Sequence, residues 1–297
     1  MLTGYLSDAY TSSLLEFGHR AYLQRLNLAL MKRKIDERGI SDYTNFYPMA
    51  FVKESNHDWW GLELETAHKI LTGISLTLIT DPLIKIDEFI ISQFDYAKKY
   101  KTHYLVNLKK ELQFEDEVLN KVNEFNSTGY EVKIKISTES IAQQFWKLYQ
   151  NLIKKHNITG IAAFSEQSII KQFQVPGIVV FEASKDKGPV CIRTFYIQGD
   201  NVYYHLGASN HKGYGIQASY AIHYEAIRFF KQLGLNYLVL GGTTDGANAA
   251  GLERFKKLWA NETRTNYILG KILNKEIYDI LSKDKTGDYF PLYRSES

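Results

Sequence analysis

Two stretches in the second half of the chain carry residue types and spacings suited to group transfer. Asn210-His-Lys-Gly213-Tyr-Gly215-Ile-Gln sets two glycines just before an expected helix. Glycine lets the backbone approach a phosphate closely, the N–H groups of a helix start point at it, and the positive dipole end adds attraction. Lys212 contributes a charge, and Tyr214 and Ile216 complete the run. A plain turn feeding a helix has the same pattern. The second stretch is Asn248-Ala-Ala-Gly251-Leu-Glu-Arg-Phe255-Lys-Lys257. Helical geometry puts Gly251 and Phe255 near one face with Asn248 at the helix start, which is also where an ordinary N-cap belongs. Asp245 is the only acidic side chain between Gly241 and Gly251. Asp245-Gly246 is equally a good turn dipeptide. Aromatic residues cluster beside turn formers in Tyr43-Thr-Asn-Phe46-Tyr47-Pro48, His57-Asp58-Trp59-Trp60-Gly61 and Asp288-Tyr289-Phe290-Pro291. Such clusters suit stacking on a sugar or base, although most aromatic rings fill cores.

The elements that must hold these residues are legible from periodicity. Trp60 to Glu65 and Ile74 to Thr80 alternate as strands, Asp87 to Tyr100 reads as a helix, and Thr102 to Leu108 and Tyr130 to Ile136 read as strands. Thr138 caps a helix carrying Ile141, Phe145, Leu148 and Leu152, which ends at His156-Asn157. Ile178 to Ala183, Val190 to Ile197 and Asn201 to Gly207 form a hairpin-linked meander, joined by turns at Lys185–Gly188 and Gln198–Asn201. A helix from about Ile216 to Leu233 stops at Gly234, Tyr237 to Gly241 is a short buried strand, and Ala249 to Leu258 is a further helix.

With 297 residues, two packed domains are the first expectation. Hydrophobic residues are 44% and charged residues 23%, a globular composition far from that of disordered or fibrous chains. The net charge of +3, from 36 basic and 33 acidic residues, argues against a large polyphosphate surface and leaves room for a local phosphate site. One cysteine, Cys191, excludes an internal disulfide framework and a cysteine-rich zinc site. The first residues lack the basic flank and apolar run of a signal peptide, and no stretch approaches the ~20 apolar residues of a membrane span, so a cytoplasmic protein is expected.

From Thr138 to about Ile280, the order helix, three antiparallel strands, glycine-flanked loop, helix, strand, helix resembles the core of the GNAT acyltransferases. Tyr203-Tyr-His-Leu-Gly-Ala-Ser209, His223-Tyr-Glu-Ala-Ile227, Tyr237-Leu-Val-Leu-Gly-Gly242 and Gly251-Leu-Glu-Arg-Phe-Lys-Lys257 resemble the Fem-type branch, which uses two GNAT-like halves. The resemblance implies an α/β (α+β) fold of two GNAT-like domains, each a mixed, largely antiparallel sheet flanked by helices. Residues 1–137 would form the acceptor side and 138–297 the acyl-CoA side. It implies acyl-CoA as donor, without a metal, held by Lys212, Gly213, Tyr214, Gly215 and Ile216 at the pyrophosphate and by Asn248 and Phe255 beside the thioester.

Amide formation requires that an amine lose a proton, that the tetrahedral oxyanion find a donor, and that the thiolate leave. Backbone N–H groups near Leu206, Gly207 and Ala208, where the fourth strand splays, are candidates for the oxyanion donor. Asp245 is the first candidate base and His205 the second, with a hydrogen-bonded structural histidine as the other reading of His205; Glu182 is a lesser candidate. At the position of Phe255 the family commonly has Tyr, which protonates the leaving group. Phe255 cannot, so that proton falls to water or to a hydroxyl such as Tyr204 or Tyr214.

The leading expectation is an N-acyltransferase acting on a nucleotide-linked amino sugar, with Tyr47, His57, Asp58, Trp59 and Trp60 at the acceptor. Relatives in the branch attach aminoacyl groups from tRNA to peptidoglycan precursors, which is the alternative; the absence of a long heptad run disfavours members with a coiled-coil arm. A non-catalytic acyl-CoA-binding module is the third reading.

Overall fold

The computed structural model describes residues 2–24, 28–37, 39–46, 57–186, 188–243 and 250–295, without the side chains of residues 57–59 and 161. In chain order the elements are α1 (Asp8–Ser13), β1 (His19–Leu23), β2 (Leu28–Lys34), β3 (Ser41–Asn45), α2 (His57–Ile70), β4 (Ser75–Ile79), α3 (Glu88–Ser92), β5 (Tyr96–Asn107), α4 (Asp116–Asn126), β6 (Glu131–Lys135), α5 (Glu139–His156), α6 (Glu166–Gln172), β7 (Ile178–Lys185), β8 (Gly188–Gln198), β9 (Asn201–Ser209), α7 (His211–Gly215), α8 (Ala218–Gln232), β10 (Tyr237–Gly242), α9 (Ala250–Lys257), β11 (Glu262–Ile272) and α10 (Lys275–Ser282).

Local chemistry accounts for most of these boundaries. Thr138 Oγ1 accepts from the Ile141 N–H at the start of α5, and Asn157 closes that helix in the left-handed region at φ 49°. Gly234, at φ 73°, ends α8. Two expectations are corrected. Trp60 to Glu65 belongs to α2, where Trp60, Leu64, Ala67 and Leu71 are buried while Leu62 is 51% exposed. A strand would have buried Leu62 together with Trp60 and Leu64, so the short alternation was one face of a helix read in too narrow a window. Asp87 to Tyr100 is not one helix either. Asp87 Oδ1 caps α3 by accepting from the Ile90 N–H, and the chain then turns into the long strand β5. The change comes at Asp95, whose N–H donates to the Gly270 carbonyl of β11.

The chain forms two compact units, Met1–Ser13 with His103–Thr263, and Leu14–Thr102 with Arg264–Ser297. This division differs from a single cut between 137 and 138. The reason is packing: Val118, Val122 and Phe125 of α4 share one core with Phe181, Phe195, Ala226 and Phe230, so a segment expected to close the first half is built into the second. The first unit has strand order β5-β10-β9-β8-β7-β6, antiparallel throughout except for the parallel pair β9–β10. The second has β1-β2-β3-β4-β11, antiparallel except for the parallel pair β3–β4. Its core joins Trp60, Leu64 and Ala67 of α2 to Leu76 and Leu78 of β4 and Leu269 of β11. The strands of each unit form a mixed, largely antiparallel array flanked by helices, in agreement with the expected α/β class. Among the described residues no helix is long and apolar enough to cross a membrane.

Candidate active site

Each unit has one parallel pair of strands that come apart, and the two are finished differently. In the second unit β3 and β4 pair at Tyr43–Leu76 and Thr44–Thr77. The next residue, Asn45, is buried and bridges the widening gap: its Nδ2 donates to the Ile79 carbonyl at 2.9 Å and its Oδ1 accepts from the Ile79 N–H at 3.0 Å. In the first unit β9 and β10 pair only as far as Tyr203–Val239, whereas β10 stays paired with β5 along its length, with a register shift after Val239, so that Gly241 and Gly242 pair with Tyr104 and His103. No side chain among the described residues bridges this second gap in the way Asn45 does. From Tyr204 onward β9 therefore presents an edge without a β10 partner, which leaves backbone groups on that edge available.

A bulge shapes the same edge. Thr194 of β8 stands opposite two residues of β9, between the pairs Phe195–Tyr204 and Arg193–Gly207. Thr194 Oγ1 accepts from the Leu206 N–H and donates to the Leu206 carbonyl, both at 3.2 Å. Of the three expected oxyanion donors, Leu206 is therefore already engaged, while Gly207 and Ala208 follow the bulge. Gly207 is required: a methyl group there would collide with Arg193 Cδ and Nη1 and with Tyr204 Oη.

Arg193 is 8% exposed. Its Nη2 donates to Ser219 Oγ at 2.6 Å and to Ser209 Oγ at 3.4 Å, Nη1 donates to the Ile192 carbonyl, and Nε has no partner. No carboxylate among the described residues is paired with it. Beside it an aromatic box forms around His223, whose ring lies 5.2 Å from Tyr204, 4.9 Å from Phe255 and 5.8 Å from Trp259. His223 Nδ1 donates to the Ser219 carbonyl at 2.9 Å. Burial, with Arg193 adding to it, pushes the imidazole down to about 3, so it is neutral at physiological pH. Lys256 is also buried, and its Nζ donates at 2.6 Å to the Gly242 carbonyl at the parted end of β10. A buried ammonium and a buried guanidinium at one strand opening suit the stabilisation of negative charge that develops there.

The expected residues fall in different places. His205 is buried with both ring nitrogens engaged: Nε2 donates to Gln172 Oε1 at 2.7 Å and Nδ1 accepts from Tyr5 Oη at 2.9 Å. Its ring stacks on Tyr196 at 4.4 Å, and burial pushes it down to about 3. No nitrogen is left for a substrate. Glu182 is buried on β7 beside Lys135 Nζ at 3.8 Å, away from the parted strands. The glycine run does not form an open loop. Residues 211–215 make the short helix α7, capped by Asn210 Oδ1 accepting from the Gly213 N–H, and the amides of Tyr214, Ile216 and Gln217 donate to carbonyls of the same turn. Gly213 serves packing, since a methyl group there would run into the Val190 carbonyl, whereas Gly215 faces open space. Ile216 is buried in the core; Lys212 and Tyr214 are exposed. Phe255 sits in the aromatic box. Trp60 is fully buried and packs on Phe94, so it cannot stack on a ligand. Asp245, Asn248 and Tyr47 lie outside the described residues, as do the side chains of His57, Asp58 and Trp59. Arg193, His223 and Lys256 were not expected. Arg193 had a signal, a charge inside the apolar run Val190–Ile197, and His223 is a polar residue on the buried face of α8; nothing local marks Lys256.

No protein-family model and no curated protein matches this sequence. Solved structures do match in fold. FemX superposes with a TM-score of 0.67 at 13% identity, covering 85% of this chain and 86% of that one. The C-terminal domain of a protein named as a lysylphosphatidylglycerol synthetase, from Agrobacterium fabrum, gives 0.63 at 13% identity and covers 94% of both chains. L-PGS from Bacillus licheniformis gives 0.61 at 12% identity, covering 90% of this chain and 92% of that one. The chain shares the two-domain fold of these proteins. Within this fold, the unbridged parting of β9 and β10, with Arg193, Lys256, Tyr204 and His223 around it, is the described place where buried cations and a phenol meet an unpaired strand edge.

Proposed function

We propose that this protein is an acyltransferase that forms an amide between an activated acyl group and an amine acceptor. The observation that carries the reading is the contrast between the two partings: Asn45 bridges one, and no described side chain bridges the other, which lies beside buried positive charge. In the proposed reaction the amine attacks the carbonyl carbon of an ester or thioester lying along β9. The oxyanion takes a hydrogen bond from the edge amide of Gly207 and is stabilised by the Lys256 ammonium, and the carrier leaves. Asp245, which follows β10 in the sequence, remains the proposed base, since His205 has no free nitrogen.

An aminoacyl-tRNA is favoured as donor over acyl-CoA by a specific surface. Lys155 Nζ lies 4.7 Å over the Tyr214 ring, and Lys212 and Lys185 lie 5.9 and 5.8 Å over Tyr130. All three lysines are exposed, and none has a carboxylate partner among the described residues. Cations set over an exposed ring, Tyr214, and a half-buried one, Tyr130, suit the phosphates and unstacked bases of an RNA end, whereas the amides of Gly213, Tyr214, Ile216 and Gln217, expected near a pyrophosphate, are spent within the α7 turn. A nucleotide-linked amino sugar as acceptor now rests on Tyr47, His57, Asp58 and Trp59 without Trp60.

The test is a direct comparison of donors, with transfer of label to amine acceptors from aminoacyl-tRNA and from acetyl-CoA. Salt-sensitive tRNA binding is expected, with Lys155→Ala and Lys212→Ala each reducing the salt slope by about 1. Transfer from acetyl-CoA together with salt-independent, weak RNA binding would return the reading to acyl-CoA. No transfer from either carrier would leave a binding module.

A further inference from the structure

A leaving thiolate or ribose alkoxide needs a proton, and the Phe255 ring has none to give. A phenol stands one ring away: Phe255 touches His223, and His223 touches Tyr204. Tyr204 directly follows the last residue of β9 that pairs with β10, so it lies where the strands part. Its ring is fixed between Phe195, at 5.5 Å, and His223. Its Oη has no hydrogen-bond partner among the described residues. The hydroxyl and the Arg193 guanidinium close over the same Cα, that of Gly207, which has no side chain to separate them.

Arg193 is the other half of the observation. It is a buried cation with an unpartnered Nε, held by Ser219 and Ser209 and paired with no carboxylate among the described residues. An uncompensated buried charge is costly unless an anion arises beside it. A permanent carboxylate would cancel its field, whereas a phenolate supplies the counter-charge only when it is formed. Burial raises the Tyr204 phenol above its ordinary range, and the Arg193 guanidinium opposes that rise.

We propose that Tyr204 is the catalytic acid that protonates the leaving group, and that Arg193 is the positioning residue that holds the resulting phenolate. The proposal rests on the acyl-transfer reading above. The amine nitrogen bonds to the carbonyl carbon, and the C–S or C–O bond to the carrier breaks with its electron pair on the carrier atom. The Tyr204 proton passes to that atom. The amine nitrogen gives up one proton, to the proposed base Asp245 and from it to solvent, and the phenolate recovers one from solvent.

The groups facing Tyr204 are Arg193 and Cys191 from β8, Tyr214 from α7, His223 from α8, Tyr149 from α5 and Tyr5 from the segment before α1. In protein labelled with 13Cζ-tyrosine, the resonance lost in Tyr204→Phe reports the titration of this phenol alone. Arg193→Met is expected to raise its midpoint by about 1 to 3 units, and Arg193→Lys, which keeps the charge, to restore most of that shift. An unmoved midpoint in Arg193→Met overturns the pairing. With the carrier that wild type uses, Tyr204→Phe is expected to lose about 10²–10⁴-fold in kcat. With a 4-nitrothiophenyl ester of the same acyl group, whose leaving thiolate needs no proton, the loss shrinks below about tenfold. Equal losses on both donors, or none on either, overturn the acid role. A wild-type protein that transfers from no carrier brings down the acyl-transfer reading and the acid role with it. That failure is distinct from an active wild type matched by Tyr204→Phe.

Discussion

The Tyr5 hydroxyl donates to Nδ1 of His205 across 2.9 Å, joining residues 200 positions apart in the chain. With Nε2 committed to Gln172 Oε1, the imidazole is locked in one neutral tautomer. Tyr5, Tyr10 and Tyr196 pack around it edge-on and face-on, which keeps water away and explains why burial pushes it down to about 3.

Acid should therefore loosen the first unit. The folded-state value of His205 lies below the unfolded value of about 6.5, so the unfolded chain binds the extra proton. Stability is complete above about pH 6.5 and falls as pH drops toward 3, by about 2 kcal/mol for this one histidine at pH 5. His223, pushed down in the same way, adds a similar loss. Urea midpoints of wild type and His205→Gln at pH 7 and pH 5 measure the share due to His205. A variant whose midpoint falls as far as wild type's would show that His205 is not the source.

The two glycines of α7 should answer differently to alanine. Gly213→Ala drives a methyl group into the Val190 carbonyl and is expected to cost about 1–3 kcal/mol. Gly215→Ala meets open space and should stay within about 0.5 kcal/mol of wild type. Thermal unfolding of the pair decides; equal melting temperatures would mean that α7 is not seated against β8.

Activity should separate Lys256 and Asp245 from His205. Lys256→Met removes the buried charge at the end of β10 and is expected to lower kcat by about 10²–10³-fold, the scale of losing one oxyanion donor. Asp245→Asn, if the carboxylate takes the amine proton, loses about 10²–10⁴-fold in turnover with little change in donor affinity. His205→Gln should retain turnover at a temperature where it is folded. Abolished turnover in a folded His205→Gln protein, with Asp245→Asn near wild type, would reverse the assignment.

In the second unit the buried carboxylate of Asp42 gathers three partners: Arg33 at 3.0 Å, Arg294 at 2.6 Å and the Tyr293 hydroxyl at 2.9 Å. Asp42→Asn leaves two arginines without their counter-charge and is expected to destabilise that unit by about 3–5 kcal/mol. A double-mutant cycle with Arg294→Ala should give coupling of about 1 kcal/mol or more, because the two side chains are in contact. Additive effects would reduce the cluster to a surface ornament.

Much of the fold was written in local patterns. The meander β7–β8–β9 alternates over long runs, and α5 carries both its cap and its stop, so period and punctuation agreed. The helix α2 was missed because Trp60 to Glu65 is too short to separate period two from period 3.6; extending the window to Ala67 and Leu71 shows the helical face. The role of the glycine run was not readable locally. Gly213 answers to the Val190 carbonyl, more than twenty residues upstream, and no motif records that contact. Arg193 could be seen as a charge among apolar neighbours, but its lack of a carboxylate partner is a property of the packed strands alone. The unit boundaries were hidden for a related reason: each unit is assembled from separated segments of uniform composition, and nothing at residue 13, 102 or 263 marks a crossing.

That assembly has a consequence for synthesis. Tyr5 and Tyr10 leave the ribosome 200 and 195 residues ahead of His205, against which both pack. At about 5–20 residues per second, the interval is about 10–40 seconds. Throughout it the N-terminal aromatics have no pocket to fill, and the strands that will make the pocket do not yet exist. Through that interval the nascent chain carries exposed rings, a natural target for a chaperone, and the first unit closes only after β10 and α9 have emerged.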